Sequence, residues 1–274
     1  MPKYAVLNLE DSIAWDERTF STMFIERLRE EGDMWVAIDN FSIEQPDIDY
    51  LLSFDGVVMT GSHVNIRDEL PWVVGPLYSF IRRAAELGSP RVYGGCFGCQ
   101  AISAALGGTV SGNPSGKFEV GLERIRLLRR EGEPSPDPPQ AADPLQEACR
   151  SFAQRWHEDM VGKKSELNMI VSHGFYAATL PPDGILLADS ASCPAEIFVA
   201  GKHRNLLACQ SHPEFDYGFC IISRILKRLV EGKRVDEEQE KKCCCEADDF
   251  DREDSDCFLR FVKMFLKPTT TSSE

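Results

Sequence analysis

Val92-Tyr93-Gly94-Gly95-Cys96-Phe97-Gly98-Cys99-Gln100 is the stretch that decides how the chain is read. Arg91 to Tyr93 has the pattern of a short buried strand, and Ala101-Ile102-Ser103-Ala104-Ala105-Leu106 that of a helix stopped by Gly107-Gly108. Between them, Gly94-x-Cys96-x-Gly98 places a thiol on a strand-to-helix turn. Such a turn is tight and strained, and flanking glycines remove the Cβ crowding it would otherwise suffer. The free N–H groups and partial positive charge of the following helix favour a thiolate there. Far along the chain, Leu206-Leu207-Ala208-Cys209-Gln210 reads as another strand, running into Ser211-His212-Pro213-Glu214-Phe215. Side chains alternate along an extended chain, so a base and a carboxylate two residues apart can point the same way. A thiol nucleophile needs a base, and the base needs a partner that fixes its tautomer. Cys96, His212 and Glu214 supply the three.

Taken together, Gly94-Gly95-Cys96-Phe97-Gly98-Cys99-Gln100 and Gln210-Ser211-His212-Pro213-Glu214-Phe215 resemble the class I glutamine amidotransferase domain. Weaker pieces fall in the same order. Val57-Val58-Met59-Thr60-Gly61-Ser62-His63 is similar to the family's oxyanion loop, and Gly116-Lys117-Phe118-Glu119-Val120-Gly121 to the segment after the nucleophile helix. Ser172-His173-Gly174-Phe175, then Leu180-Pro181-Pro182, is similar to the glutamine-contacting stretch. The resemblance runs from Lys3 to Gly232, and its loop Thr60-Gly61-Ser62-His63 leans to the gamma-glutamyl peptidase branch.

The resemblance implies a doubly wound α/β fold, flavodoxin-like, with a mixed, mainly parallel sheet and helices on both faces. It implies acyl transfer from a small glutamine or γ-glutamyl substrate through a thioester on Cys96, with His212 and Glu214 completing the catalytic set. Backbone N–H groups of Gly61 or Ser62 and of Phe97 would hold the oxyanion. Gln100, through its side chain, and the backbone of Gly174 and Phe175 would hold the substrate. No cofactor and no metal is called for. Two positions depart from the family. Cys99 stands where histidine is usual, and Gly95 where an apolar residue is usual. Three readings stay open: a stand-alone γ-glutamyl peptidase, which is favoured; a glutaminase subunit passing ammonia to a synthetase; and a non-enzymatic binding protein on the same fold.

The rest of the chain supports an α/β reading. Candidate strands at Tyr4–Leu9, Trp35–Ile38 and Phe54–Thr60 alternate with helical spacing at Phe20–Leu28 and Trp72–Leu87, the pattern of a parallel sheet covered on both faces. Function in such sheets lies beyond the carboxyl ends of the strands. Leu122–Leu128 reads as a strand, Glu131–Asp143 as a Pro- and Asp-rich insertion, and Leu145–Trp156 as a helix. Met169–Ser172, Ile185–Ala188 and Glu196–Ala200 read as short strands with some antiparallel pairing, and Tyr217–Val230 as a closing helix. After Gly232 the composition changes. Residues 1–232 are expected to form the domain, and 233–274 an acidic, cysteine-containing extension ending in an amphipathic helix of Phe258, Phe261, Val262, Phe265 and Leu266 and a frayed tail, Thr269–Glu274.

A net charge of −14 argues against a nucleic-acid partner, which would require a basic footprint. Ten cysteines without a framework spacing, no apolar leader and no long apolar run point to a reduced, cytosolic protein with no membrane span. Cys96-x-x-Cys99 also matches a thioredoxin-like redox motif, but that reading leaves His212 and Glu214 without a role. It does raise Cys99 as a thiol able to trap an oxidised Cys96. Cys243-Cys244-Cys245 allows a zinc or lipidation reading, and the adjacent spacing is poor for a zinc loop. His173 is read as structural, and His63, His157 and His203 as surface or loop residues.

Overall fold

The computed structural model describes residues 1–12, 15, 18–113, 116–128 and 152–267. Along the chain the strands are β1 (Lys3–Leu7), β2 (Met34–Ile38), β3 (Gly56–Met59), β4 (Arg91–Gly95), β5 (Thr109–Gly112), β6 (Glu119–Leu127), β7 (Glu166–His173), β8 (Phe175–Thr179), β9 (Ile185–Asp189), β10 (Ile197–Ala200) and β11 (Leu206–Cys209). The helices are α1 (Phe20–Leu28), α2 (Ile48–Leu52), α3 (Tyr78–Leu87), α4 (Phe97–Ala105), α5 (Tyr217–Leu226, continuing through Lys227–Glu231), α6 (Glu237–Asp249) and α7 (Glu253–Leu266).

One sheet carries the order β2-β1-β3-β4-β11-β10-β9-β6-β7. Its first five strands are mutually parallel. From β11 onward the neighbours run antiparallel. A small second sheet pairs β5 with β8. The parallel strands are apolar on both faces because both are covered. Tyr4, Val6, Val58, Tyr93 and Leu207 point to one side, where α1 and α7 supply Phe24, Phe258 and Phe261. Ala5, Leu7, Val57, Met59, Val92 and Leu206 point to the other, against α3 and α4. This is the doubly wound arrangement that the sequence implies. The parallel strands β1, β3, β4 and β11 end on one edge of it, and the loops after them carry Glu10, Thr60, Cys96 and Gln210.

Several elements differ from the sequence reading. The two-stranded β5–β8 pair and the short α2 were not expected, and β7 is longer than the Met169–Ser172 strand. The Trp72–Leu87 helix is present as read, with a wider helical turn at Val73–Leu77 that takes up Pro76 before α3 proper. A proline inside a helix removes one N–H bond, which such a turn accommodates. Of the Leu145–Trp156 helix, 152–156 is helical and runs into a wide turn at His157–Val161. The remainder of that helix, the Glu131–Asp143 insertion and the Thr269–Glu274 tail lie outside the described residues. No helix among the described residues is long and apolar enough to cross a membrane.

The segment after Gly232 packs on the same core. Asp236 caps α6 in a reciprocal box with Gln239. Cys243 is buried under β6, with its thiol 3.6 Å from the Val120 carbonyl, while Cys244 and Cys245 are exposed. One helix therefore turns the three cysteines to different environments. Helix α7 buries Phe258, Phe261, Val262, Phe265 and Leu266. The Gly56 position admits it closely, since a Cβ there would lie 3.0 Å from the Leu266 carbonyl oxygen.

Lys263 carries its charge into this interface. Its ammonium bonds Asp33, with both side chains about 5% exposed or less, and sits 4.0 Å from the Tyr4 ring centroid. Removing one member of a buried pair strands the other, at a cost of about 3–5 kcal/mol. Lys263→Met is expected to lower unfolding free energy by about 3 kcal/mol. Pairing it with Asp33→Asn should recover part of that loss in urea denaturation. An unchanged midpoint in the single variant would mean the pair is already solvated.

Candidate active site

The site begins with a backbone constraint. Cys96 joins β4 to α4 at φ 47° and ψ −100°, in the positive-φ half of the map that non-glycine residues seldom enter. Its N–H donates to the Cys209 carbonyl at 2.8 Å, which ties the turn to β11. The neighbouring glycines make the turn geometrically feasible. A Cβ on Gly94 would lie 2.6 Å from the Gly98 carbonyl, and one on Gly98 would lie 2.6 Å from the Met59 carbonyl oxygen. Gly95 is different: a Cβ there meets only Phe24 and Tyr93, at 3.4 Å and beyond.

His212 and Glu214 follow β11. His212 N–H donates to the Ile170 carbonyl at 2.8 Å. Its ring stacks on Phe215 with centroids 4.0 Å apart and meets the edge of Phe20. Nδ1 lies 2.8 Å from Glu214 Oε1, both side chains being buried. That leaves Nε2 as the ring nitrogen available to Cys96, which lines the same cleft. Burial pulls the imidazole pKa down, but the charge of Cys96 as a thiolate and of Glu214 outweigh it and raise it to about 10. The His212 ring thus lies between the Cys96 sulfur and the Glu214 carboxyl group.

These residues open into a cleft of about 300 Å³ that Cys96, His212, Ser62, Gln100, Gly174 and Phe175 all line. Gly61 lies against the pair, since a Cβ there would come 3.0 Å from His212 Cε1 and 3.5 Å from Cys96 Cβ. Its carbonyl is turned away by a 2.9 Å bond from the Thr60 hydroxyl. Phe97 opens α4, where a helix N–H has no intrahelical acceptor, while its ring packs inward on Trp72. Gln100 is buried, and its amide nitrogen bonds the Phe175 carbonyl at 2.9 Å and Gln210 Oε1 at 3.3 Å. Those bonds take up both of its amide hydrogens, so only Oε1 remains for a ligand.

Three other residues of the neighbourhood were not singled out by the sequence. Glu10, at the end of β1, is a buried carboxylate bonded to His63 Nδ1 at 2.6 Å, and that bond raises the His63 pKa. Gln210 is fully buried and its Nε2 lies 3.4 Å from Cys96 Sγ. Glu196 is fully buried beneath the loop, bonded by the Ser211 hydroxyl. The sequence marked only the strand-end position of Gln210. His173 lines the cleft with neither ring nitrogen bonded to any described residue. Burial, then the nearby charge of His212, depress its pKa to about 3 and keep it neutral. Cys99 is buried in the core, and its thiol is pushed well up by burial first and then by Cys193, Cys209 and Glu196, with Cys96 the weakest influence. That is a packing environment, not the accessible, low-pKa setting of a resolving thiol. The redox expectation for Cys99 is corrected accordingly.

A strained thiol elbow on a doubly wound sheet, facing a His–Glu pair, fits a known family. The class-I glutamine amidotransferase model matches residues 16–218, and the chain belongs to that family. Among its relatives, gamma-glutamyl peptidase 3 of Arabidopsis thaliana is 25% identical over 219 residues, covering 80% of this chain and 77% of that protein. The glutamine-hydrolyzing GMP synthase of Aromatoleum aromaticum is 30% identical over 195 residues, which is 70% of this chain but 32% of the synthase. The fold matches a glutamine amidotransferase from Thermotoga maritima with a TM-score of 0.64 at 13% identity, over 97% of this chain and 98% of that one.

Two measurements test this geometry. Gly95→Ala is expected to be tolerated or stabilising by up to about 1 kcal/mol, since the position has room and glycine loses more entropy on folding. Gly94→Ala and Gly98→Ala should instead destabilise strongly, as carbonyl oxygens block both. Equal melting temperatures for the three would reject the close approach. The second concerns Glu196, whose pKa burial pushes from 4.5 to about 7 against the Ser211 and Ser190 hydrogen bonds. The native state then binds the proton that the unfolded state releases, so this residue's contribution to stability is full below about pH 4.5 and is lost as pH rises to about 7. Glu196→Gln should flatten that slope in urea titrations, and an unaltered slope would place the titration elsewhere.

Proposed function

We propose that the chain hydrolyses a glutamine or γ-glutamyl amide through a thioester on Cys96, as a stand-alone γ-glutamyl peptidase. The observation that carries this reading is the elbow itself: Cys96 at φ 47° faces a buried His212 whose Nδ1 is 2.8 Å from Glu214. The relatives named gamma-glutamyl peptidase, matched over most of their length, favour peptide over free glutamine as substrate.

In this reading the Cys96 thiolate attacks the γ-carbonyl and a C–S bond forms. The oxyanion is received by N–H groups of Phe97 and of Gly61 or Ser62. His212 gives its Nε2 proton to the leaving nitrogen, the C–N bond breaks, and an amine or ammonia departs. Neutral His212 then takes a proton from water as the water attacks the thioester. The C–S bond breaks, and glutamate leaves. Glu214 holds the ring and stabilises its charge throughout. The backbone of Gly174 and Phe175, with Gln100 Oε1, holds the amino-acid end of the substrate. The chemistry needs no cofactor or metal. Residues 1–232 carry it, and the described part of the extension, 233–267, braces the domain.

The GMP synthase relative favours a second reading, in which a separate synthetase receives the ammonia. The purified chain assayed on γ-glutamyl peptides and on glutamine separates the two. Peptide cleavage by the chain alone supports the peptidase, and glutamine turnover that appears only with an added subunit supports the glutaminase.

Cys96→Ser should abolish glutamate release without loss of fold, a serine hydroxyl being far less ionised than a thiol near neutral pH. Substantial turnover in that variant would remove Cys96 from the chemistry. Glu214→Gln should cost less than His212→Ala, because the base itself remains. A Glu214→Gln rate equal to wild type would leave Glu214 outside the mechanism.

A further inference from the structure

We propose that Gln210 is a positioning residue that donates a hydrogen bond to the Cys96 sulfur, and that its direction is set by a chain of amides beginning at the Phe175 carbonyl. The argument rests on which atoms can only accept or only donate. The Phe175 backbone oxygen is an acceptor, so the Gln100 atom 2.9 Å away is the amide nitrogen. That nitrogen is donor-only, so the Gln210 atom 3.3 Å from it is the carbonyl oxygen. The remaining end of the Gln210 amide is therefore Nε2, and it faces Cys96 Sγ at 3.4 Å. Amide orientations are normally ambiguous. Here a backbone carbonyl fixes both in sequence.

The surroundings leave the chain no easy alternative. Gln210 is fully buried, Gln100 nearly so, and no water shell can replace a lost partner. The Gln210 main chain is pinned by its N–H bond to the Glu196 carbonyl at 2.8 Å, and β4 and β11 run side by side up to Gly95 and Cys209. The sulfur thus has a donor on the Gln210 side, with the His212 ring lining the same cleft. A thiol is a weak acceptor, whereas a thiolate is a strong one, and hydrogen bonds to an ionised group are roughly twice as strong as neutral ones. Gln210 therefore favours the charged sulfur and holds it in one direction. The same amide chain joins the Phe175 backbone, on the substrate side of the cleft, to the nucleophile. Its catalytic meaning rests on Cys96 as the nucleophile proposed above, but the bond itself does not.

The test uses the full chain and no substrate, so it succeeds or fails independently of the peptidase reading. The rate of iodoacetamide alkylation is measured against pH for wild type and Gln210→Met, each corrected by the same protein carrying Cys96→Ser, because Cys244 and Cys245 are also exposed to the reagent. Methionine keeps the length and removes the donor. The expected result is an alkylation midpoint displaced upward by about one pH unit, with the Cys96-specific rate on the rising limb of the profile falling roughly tenfold. Gln210→Glu, nearly isosteric but facing the sulfur with an acceptor, should move it further in the same direction. Gln100→Met keeps Gln210 but frees its amide to flip, and should give a smaller upward shift. If Gln210→Met fails to fold, the Glu and Gln100 variants read the same chain. Coincident profiles in folded variants would make Gln210 a packing residue and overturn the proposal.

Discussion

The whole arrangement depends on one backbone residue held where side chains are disfavoured. Cys96 sits at φ 47° because β4 and α4 approach so closely that Gly94 nearly touches the Gly98 carbonyl. Strained conformations of this kind cost about 1–3 kcal/mol and persist only where the surroundings determine them fully. Here the surroundings are β3 and β11. Gly98 N–H bonds the Thr60 carbonyl, and Cys96 N–H bonds the Cys209 carbonyl. The strain is therefore carried by the parallel half of the sheet. The thiol is raised above the strand ends, where a cleft exists, in place of pointing into either packed face.

His212 depends on different supports, and one of them, Arg252, lies outside the matched family region. The loop from His212 to Phe215 is held by β7 through Ile170 and from below by Ser211 on Glu196. Its outer side is held by Arg252, at the start of α7, which bonds the carbonyls of Pro213 and Phe215. Arg252 follows the end of the family match at residue 218. The acidic extension thus reaches back to the site through one guanidinium, and α7 fastens that reach with the Lys263–Asp33 pair and a row of buried phenylalanines. Helix α6 makes a parallel attachment at β6, where Glu246 accepts from the Leu122 N–H and the Tyr217 hydroxyl. Two separate anchors give the segment a fixed seat, and through Arg252 that seat bears on the orientation of His212.

Much of this was legible because the informative signals are local. A glycine on each side of Cys96, a strand before it and a helix after it are neighbours in sequence, and so are His212 and Glu214. The parallel strands were readable as apolar runs, since burial on both faces leaves no alternation to confuse. What stayed hidden depends on pairing between distant residues. Nothing near Gln100 or Gln210 in sequence says that their amides meet. The β5–β8 pair was missed because Thr109–Gly112 has the composition of a loop and gains its partner 63 or more residues later. Helix α6 was read as a charge run around cysteines, although Asp236 and Gln239 carry the capping signature that starts it. Cys99 was a matter of direction: its position one turn from Cys96 was visible, but the side of α4 it faces follows from packing against the core.

The two buried histidines of the cleft show how the site decides where its positive charge resides. His212 and His173 are close enough to influence each other's titration, yet one is raised to about 10 and the other lowered to about 3. Burial disfavours the charged form of both, so burial alone cannot separate them. The difference is the company each keeps. His212 has Cys96 and Glu214 as anionic partners, while His173 has no hydrogen-bond partner among the described residues and faces the charge of His212. Two imidazoliums side by side would repel, so fixing one proton on His212 excludes a second from His173. The positive charge thus sits on the ring between the sulfur and Glu214, with a neutral ring beside it. Where environments drive two titratable groups apart in this way, their roles are set by those environments and not by residue type. His173, though it lines the same cleft, is held neutral by its burial first and by the charge of His212 second.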